Sequence, residues 1–172
     1  MRLILLALIG LMGLIPAAQA RPYTFEKARL QLDVPTGWNV EGNPDGTGLT
    51  ISSPDGGAML MFQALPPGQL STALTEVNTL LSSLVTERVV GPPERLRLAG
   101  MDGVMADGHG KLNGKPIGVG LIVVRTPEGV LVFFLGLLGS DNAAKYESGV
   151  TQVLAGMKPI GTKPPTQKPG AK

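Results

Sequence analysis

One histidine, no cysteine and seven methionines bound the chemistry open to this 172-residue chain. His109 is the single imidazole, and Asp107 stands two residues before it. Residues two apart on a strand share a face, so the pair offers two members of a hydrolytic triad, with Ser52, Ser53 or Ser140 as candidate nucleophile. A serine of that kind commonly sits on a strained elbow marked G-x-S-x-G, and the chain carries no such pattern. Polar residues on an exposed strand look the same, so no catalytic residue is assigned and no enzymatic activity is expected.

Met59 and Met61 alternate along a strand, as do Met105 and His109, which suits soft coordination of Cu(I). Alternating methionines also fill irregular cores, and no zinc or calcium ligand spacing accompanies them. No metal or cofactor is therefore expected; a Met/His copper site is the weakest alternative. Gly108-His109-Gly110 and Gly118-Val119-Gly120 do not continue as G-x-G-x-x-G, and they read as strand glycines. Trp38 is either a binding anchor or a cap on the core. Arg95 and Arg97 suit an acidic partner. If the stretch 99–103 is the connecting loop, however, Arg95 falls opposite Asp107 and a plain ion pair suffices.

The elements that position these residues alternate in character. Residues 29–34 alternate apolar and polar as a half-buried strand, and Leu49–Ser52 and Ala58–Leu65 flank a turn at Ser53-Pro54-Asp55-Gly56. Ser71–Arg88 carries Ala73, Leu74, Val77, Leu80, Leu81, Leu84 and Val85 on one helical stripe, with Ser71 or Thr72 as cap. Four strands follow: 94–98, 104–112, 115–125 and 130–138. The third and second join at Asn113-Gly114, a two-residue hairpin turn that needs positive φ at both positions. That turn sets a register: Gly110 opposite Ile117, Gly108 opposite Val119, Ala106 opposite Leu121, Val104 opposite Val123, and on the other face His109 opposite Gly118 and Asp107 opposite Gly120. Val130–Leu138 is apolar on both faces and belongs in the middle of a covered sheet. Asp141 caps a last helix whose Ala143, Tyr146, Val150, Val153 and Leu154 share a face, with Gly156 closing it. The expected class is α+β: an antiparallel sheet of about six strands flanked by helices in an α/β/α sandwich.

Residues 1–20 have the layout of a secretory leader: Arg2, an apolar run from Leu3 to Ile15, Pro16, and Ala18-Gln19-Ala20 as a small-x-small cleavage site. Cleavage after Ala20 would leave 152 residues, enough for one domain over residues 21–160, exported to the periplasm or beyond. Without cysteine, such a domain holds together by packing and hydrogen bonds. The formal charge of +2 conceals a mildly acidic domain and a basic end: residues 21–157 hold ten Lys/Arg against thirteen Asp/Glu. No dense basic patch with interleaved aromatics points to nucleic acid. Residues 161–172, rich in Pro and Lys, are expected to be disordered and to make at most weak contact with an anionic membrane surface.

The stretch Tyr23-Thr24-Phe25, then Leu32-Asp33-Val34-Pro35-Thr36-Gly37-Trp38 and the turn Ser53-Pro54-Asp55-Gly56, resembles the opening of the PsbP-like superfamily, which includes the bacterial DcrB-like envelope proteins. The element order matches over residues 22–160. The resemblance implies the α/β/α sandwich and a small accessory or assembly protein that binds partners. DcrB-like members tend to be lipoproteins, and this chain has no cysteine to acylate; no site residue of the family carries over. The expectation is a non-enzymatic envelope protein that binds a protein partner, with Arg95, Arg97, Asp107 and His109 on one polar sheet face, together with Trp38, as possible contacts. A carrier of a small apolar ligand, held between helix and sheet, is the alternative.

Overall fold

The computed structural model describes residues 20–65 and 70–161; the expected leader, up to Gln19, and the expected disordered tail beyond Gly161 lie outside the described residues. The pattern of the chain dictates its centre. Leu131–Gly139 (β10) is apolar at every position to Leu138 except Gly136, and such a strand is stable only with cover on both faces. It lies in the middle of an antiparallel sheet, paired on one side with Ala58–Leu65 (β5) and on the other with Lys115–Arg125 (β9). Outward from β5 come Gly48–Ser52 (β4) and Asn39–Gly42 (β3). Outward from β9 comes Met101–Leu112 (β8), whose far side pairs with Val85–Val90 (β6) and Glu94–Leu98 (β7) placed end to end. Among the described residues the main sheet therefore has eight strands, two more than the sequence suggested.

A second, three-stranded sheet accounts for part of the difference in architecture. Ala20–Phe25 (β1) pairs with Leu30–Pro35 (β2), whose other side takes the two-residue strand Lys158–Pro159 (β11). β2 and the helix Ala143–Ala155 (α2) together cover one face of the main sheet. Leu30, Leu32 and Val34 from β2, and Val150, Val153 and Leu154 from α2, meet Leu60, Phe62, Val132 and Phe134 there. The Phe62 and Phe134 rings pack tilted, with centroids 5.0 Å apart. The opposite face is covered by the helix Leu70–Leu84 (α1), whose Leu81 joins Val119, Val123, Phe133, Leu135 and Leu137. The sandwich thus has helices on both sides, but one outer layer is shared between a helix and a small sheet. No described helix is long and apolar enough to cross a membrane.

The Asn113-Gly114 turn has positive φ at both residues and fixes the β8–β9 register foreseen from the sequence, from Leu112 opposite Lys115 to Val104 opposite Val123. Three local expectations change. The first helix ends at Leu84 instead of continuing to Arg88, because β-branched Val85 and Thr86 enter the ladder opposite Leu112 and Lys111. A bulge follows, with Glu87 at positive φ, before Val89 and Val90 pair with His109 and Gly108. The buried helical stripe is narrower than the periodicity predicts: Leu81 is buried, whereas Leu80 and Leu84 stand exposed. Asp141 lies within the short 3-10 turn Ser140–Asn142 that leads into α2, while Tyr146, Val150, Val153 and Leu154 are buried as expected.

Because the Phe134 ring is buried and packs on Phe62, Phe134→Ala should cost about 3–5 kcal/mol of unfolding free energy, the usual range for emptying a buried aromatic site. Urea denaturation followed by far-UV circular dichroism measures it, and a loss under 1 kcal/mol would show a looser core than described.

Candidate functional site

The structure separates the residues that the sequence grouped. Across an antiparallel ladder, directly opposed residues share a face. Asp107 and His109 follow Met105 on the face that β2 and α2 cover further in, and both are exposed beyond that cover. Arg95 is opposite Val104, which is opposite Val123, so it lies on the α1 face. Arg97 is opposite Asp102 on the same side. The two arginines and the Asp107–His109 pair therefore do not form one polar surface. Nor does Arg95 face Asp107. The turn between β7 and β8 is the two-residue Ala99-Gly100, both at positive φ, and not the longer stretch assumed. Arg97 makes a loose ion pair with Asp102 at 3.9 Å.

The triad fails on distance. Ser52 lies on β4, four strands from His109, or about 19 Å at the usual strand spacing. Ser53 follows it, and its hydroxyl is already engaged in the turn, donating to Asp55 at 2.8 Å and accepting from the Ala58 N–H at 3.0 Å. Ser140 begins beyond Leu138, which is two strand spacings (about 10 Å) from His109 through Gly118. The methionines are split as well. Met59 and Met61 pack against the α1-side cluster and Met105 belongs to the opposite one, so a sheet intervenes between them. Among the described residues no three His, Cys, Asp or Glu side chains gather as metal ligands.

What the structure does bring together lies at the β2–β3 corner. Pro35-Thr36-Gly37-Trp38 turns tightly, with Gly37 at positive φ and the Trp38 N–H donating to the Pro35 carbonyl at 3.1 Å. The half-buried Trp38 ring lies on Gly149 of α2 so closely that a methyl group there would overlap it. Two grooves share Trp38, Pro35 and Thr36 as a common wall. One, of about 450 Å³, runs past Ser53, Pro54, Asp55, Lys145, Tyr146, Ser148 and Gln152. The other, of about 550 Å³, runs past Arg21, Asn39, Val40 and Glu41. The first runs between α2 and the β2–β3 corner, and both are flanked by charged side chains, whereas the alternative reading placed a small apolar ligand between a helix and the sheet.

A latch holds the first groove in shape. The Asp55 carboxylate accepts hydrogen bonds from the Lys145 ammonium, from the Tyr146 hydroxyl at 2.7 Å, from the Ser53 hydroxyl at 2.8 Å and from the Gly57 N–H at 3.3 Å. The Tyr146 ring lies directly on Gly57, where no side chain would fit. The Lys145 bond, then those of Tyr146 and Ser53, hold the Asp55 carboxyl well below the ordinary carboxylate range. Its hydrogen bond to Asp55 raises Lys145, and the bond to the same carboxylate, followed by burial, raises Tyr146. Each group is moved away from neutrality, the reverse of what proton transfer at neutral pH requires. The cluster ties the β4–β5 turn to α2. Sequence reasoning placed Trp38 and recognised the turn, but it missed the latch, since nothing local links Asp55 to residues ninety positions away.

No known family's sequence model matches the chain, and no curated protein matches it in sequence. Its structure does match solved ones. It is similar to cyanobacterial PsbP (CyanoP) from Synechocystis sp. PCC 6803, with a TM-score of 0.57 and 16% identity over 87% of this chain and 97% of that one. It is equally similar to a protein from Bacteroides thetaiotaomicron, with a TM-score of 0.57 and 13% identity over 88% of this chain. This chain spans about half of that longer protein, 52% of its length. The PsbP-like α+β fold is therefore present, as the sequence resemblance implied.

A carboxyl held below its ordinary value adds stability that is complete above the unfolded pKa, about 3.9, and is lost as pH falls through the folded one. Asp55→Asn should therefore lower the thermal midpoint at neutral pH, with the gap to the parent closing steadily as pH drops below about 4. A gap that is independent of pH would show that the charge of Asp55 contributes nothing.

Proposed function

We propose that this chain is an exported, non-enzymatic accessory protein of the cell envelope, which binds a protein partner at the Trp38 grooves and assists its assembly or stability. The observation that carries the reading is Trp38 itself, an aromatic ring half exposed as the shared wall of two adjoining grooves. Tryptophan is enriched at the energetic centres of protein interfaces, where a rigid surface limits the ordering cost of binding. Rigidity here comes from Gly149 beneath the ring and from the Asp55–Lys145–Tyr146 latch beside it. Resemblance to the PsbP-like accessory proteins and the shared fold support the same role. Export rests on the leader at residues 1–20.

Two measurements test this. Ser148 is an exposed α2 residue in the first groove, so Ser148→Arg obstructs the groove without touching the core. Envelope proteins cross-linked to the parent should be recovered at least about tenfold less with the variant, while an unchanged far-UV circular dichroism spectrum and thermal midpoint confirm the fold. Equal recovery would remove the groove from the interface. N-terminal sequencing of the protein isolated from the envelope should begin at Arg21; a cytosolic chain that retains Met1 would overturn the assignment to the envelope.

A further inference from the structure

We infer that β7 is a docking edge for a strand of a partner protein that alternates acidic and apolar side chains. This does not rest on the Trp38 grooves, since the surface lies at the other end of the strand order. β7 pairs with β8 on one side and, among the described residues, with nothing on the other, so its outward backbone groups are open to strand addition. The strand is short and sharply bounded. Pro92-Pro93 precedes it and the Ala99-Gly100 turn follows, leaving five residues, about 17 Å, as the ladder.

Its side chains alternate in a way that specifies the partner. Leu96 and Leu98 point to the β2–α2 side, half-buried against that core. Arg95 and Arg97 point to the α1 side and are exposed. Arg95 has no ion-pair partner among the described residues, and the residue opposite it is Val104, itself 44% exposed. Arg97 holds Asp102 at 3.9 Å with both side chains largely in solvent. A strand laid along β7 places its residues beside Arg95 and Arg97 on one face and beside Leu96 on the other. Acidic residues at two positions flanking an apolar one satisfy all three.

The same alternation disfavours a second copy of this chain. Two β7 strands paired antiparallel about Leu96 bring Arg95 of each against Arg97 of the other, and directly opposed like charges are destabilising. The arginines thus discourage self-association along the edge while leaving it open to an acidic strand.

The test titrates the folded protein with three short peptides: one alternating glutamate and valine, one alternating lysine and valine, and one with the glutamate and valine segregated into blocks. Amide chemical shifts report the position. The alternating acidic peptide should shift the amides of residues 94–98 and bind at least about tenfold more tightly than the other two, with affinity falling as salt rises. R95E/R97E should invert the preference toward the lysine peptide. Because the glutamate of R97E would face Asp102, R95E alone, whose neighbour is Val104, should weaken acidic-peptide binding in the same direction, with amide shifts outside residues 94–105 unchanged. Equal binding of the alternating and blocked acidic peptides overturns strand addition. Shifts confined to other residues, or binding of R95E/R97E to the acidic peptide at parental strength, overturn the site. Vesicles containing phosphatidylglycerol that compete away the peptide-induced shifts, where neutral vesicles do not, would reassign the arginines to a lipid surface and overturn the protein partner.

Discussion

Everything in this molecule is arranged around a strand that cannot face water. β10 presents Leu, Val and Phe to both sides of the sheet, and each of those side chains is worth roughly 1.5–3 kcal/mol when buried. One layer cannot meet that demand. The chain therefore supplies α1 on one side, and α2 with β2 on the other. The order of elements along the sequence follows: the outer layers come from segments before and after the sheet, while the four strands 94–139 are consecutive neighbours by hairpins or pair with their neighbour directly. With no disulfide among its means of stabilisation, the fold depends on this double burial.

Much of this was legible in the sequence, and for identifiable reasons. Asn113-Gly114 dictates a turn, and a turn dictates a register, so the β8–β9 ladder could be written residue by residue. The boundaries of Ala58–Leu65, Glu94–Leu98 and Lys115–Arg125 were also evident, because alternation ends at turn residues on each side. The helix overran because Val85 is apolar at a helical interval and is buried in either conformation; periodicity cannot tell the two apart where a helix passes directly into a strand. β1 and the tiny β11 were missed because a second sheet of six and two residues against β2 has too little pattern of its own.

The site was less legible than the fold. Sharing of a face can be read within a hairpin, so Asp107 and His109 were correctly placed together. Between β7 and β8, however, the face depends on turn length, and one turn shorter than assumed moved Arg95 and Arg97 to the opposite side of the sheet. The Asp55 latch depends on α2 folding back over the β4–β5 turn, a long-range event that no local residue announces. Its polar groups are largely committed to one another, which turns three ionisable side chains into scaffolding.

The pairing of β1 has a consequence for the accessibility of its backbone. Ala20 and Arg21 stand opposite Pro35 and Val34, so the peptide bond between them belongs to a finished ladder whose partner strand is buried. A peptidase must draw its substrate into an extended cleft of its own, and it cannot do so while β2 holds that segment. Cutting of this bond and its pairing with β2 therefore exclude one another: only a chain whose β1 is still open, or has been peeled away, could be cut there. Once β1 has closed on β2, the backbone there is engaged in the ladder and withheld from any enzyme that needs it extended and unpaired, although the side chains of Ala20 and Arg21 stay exposed.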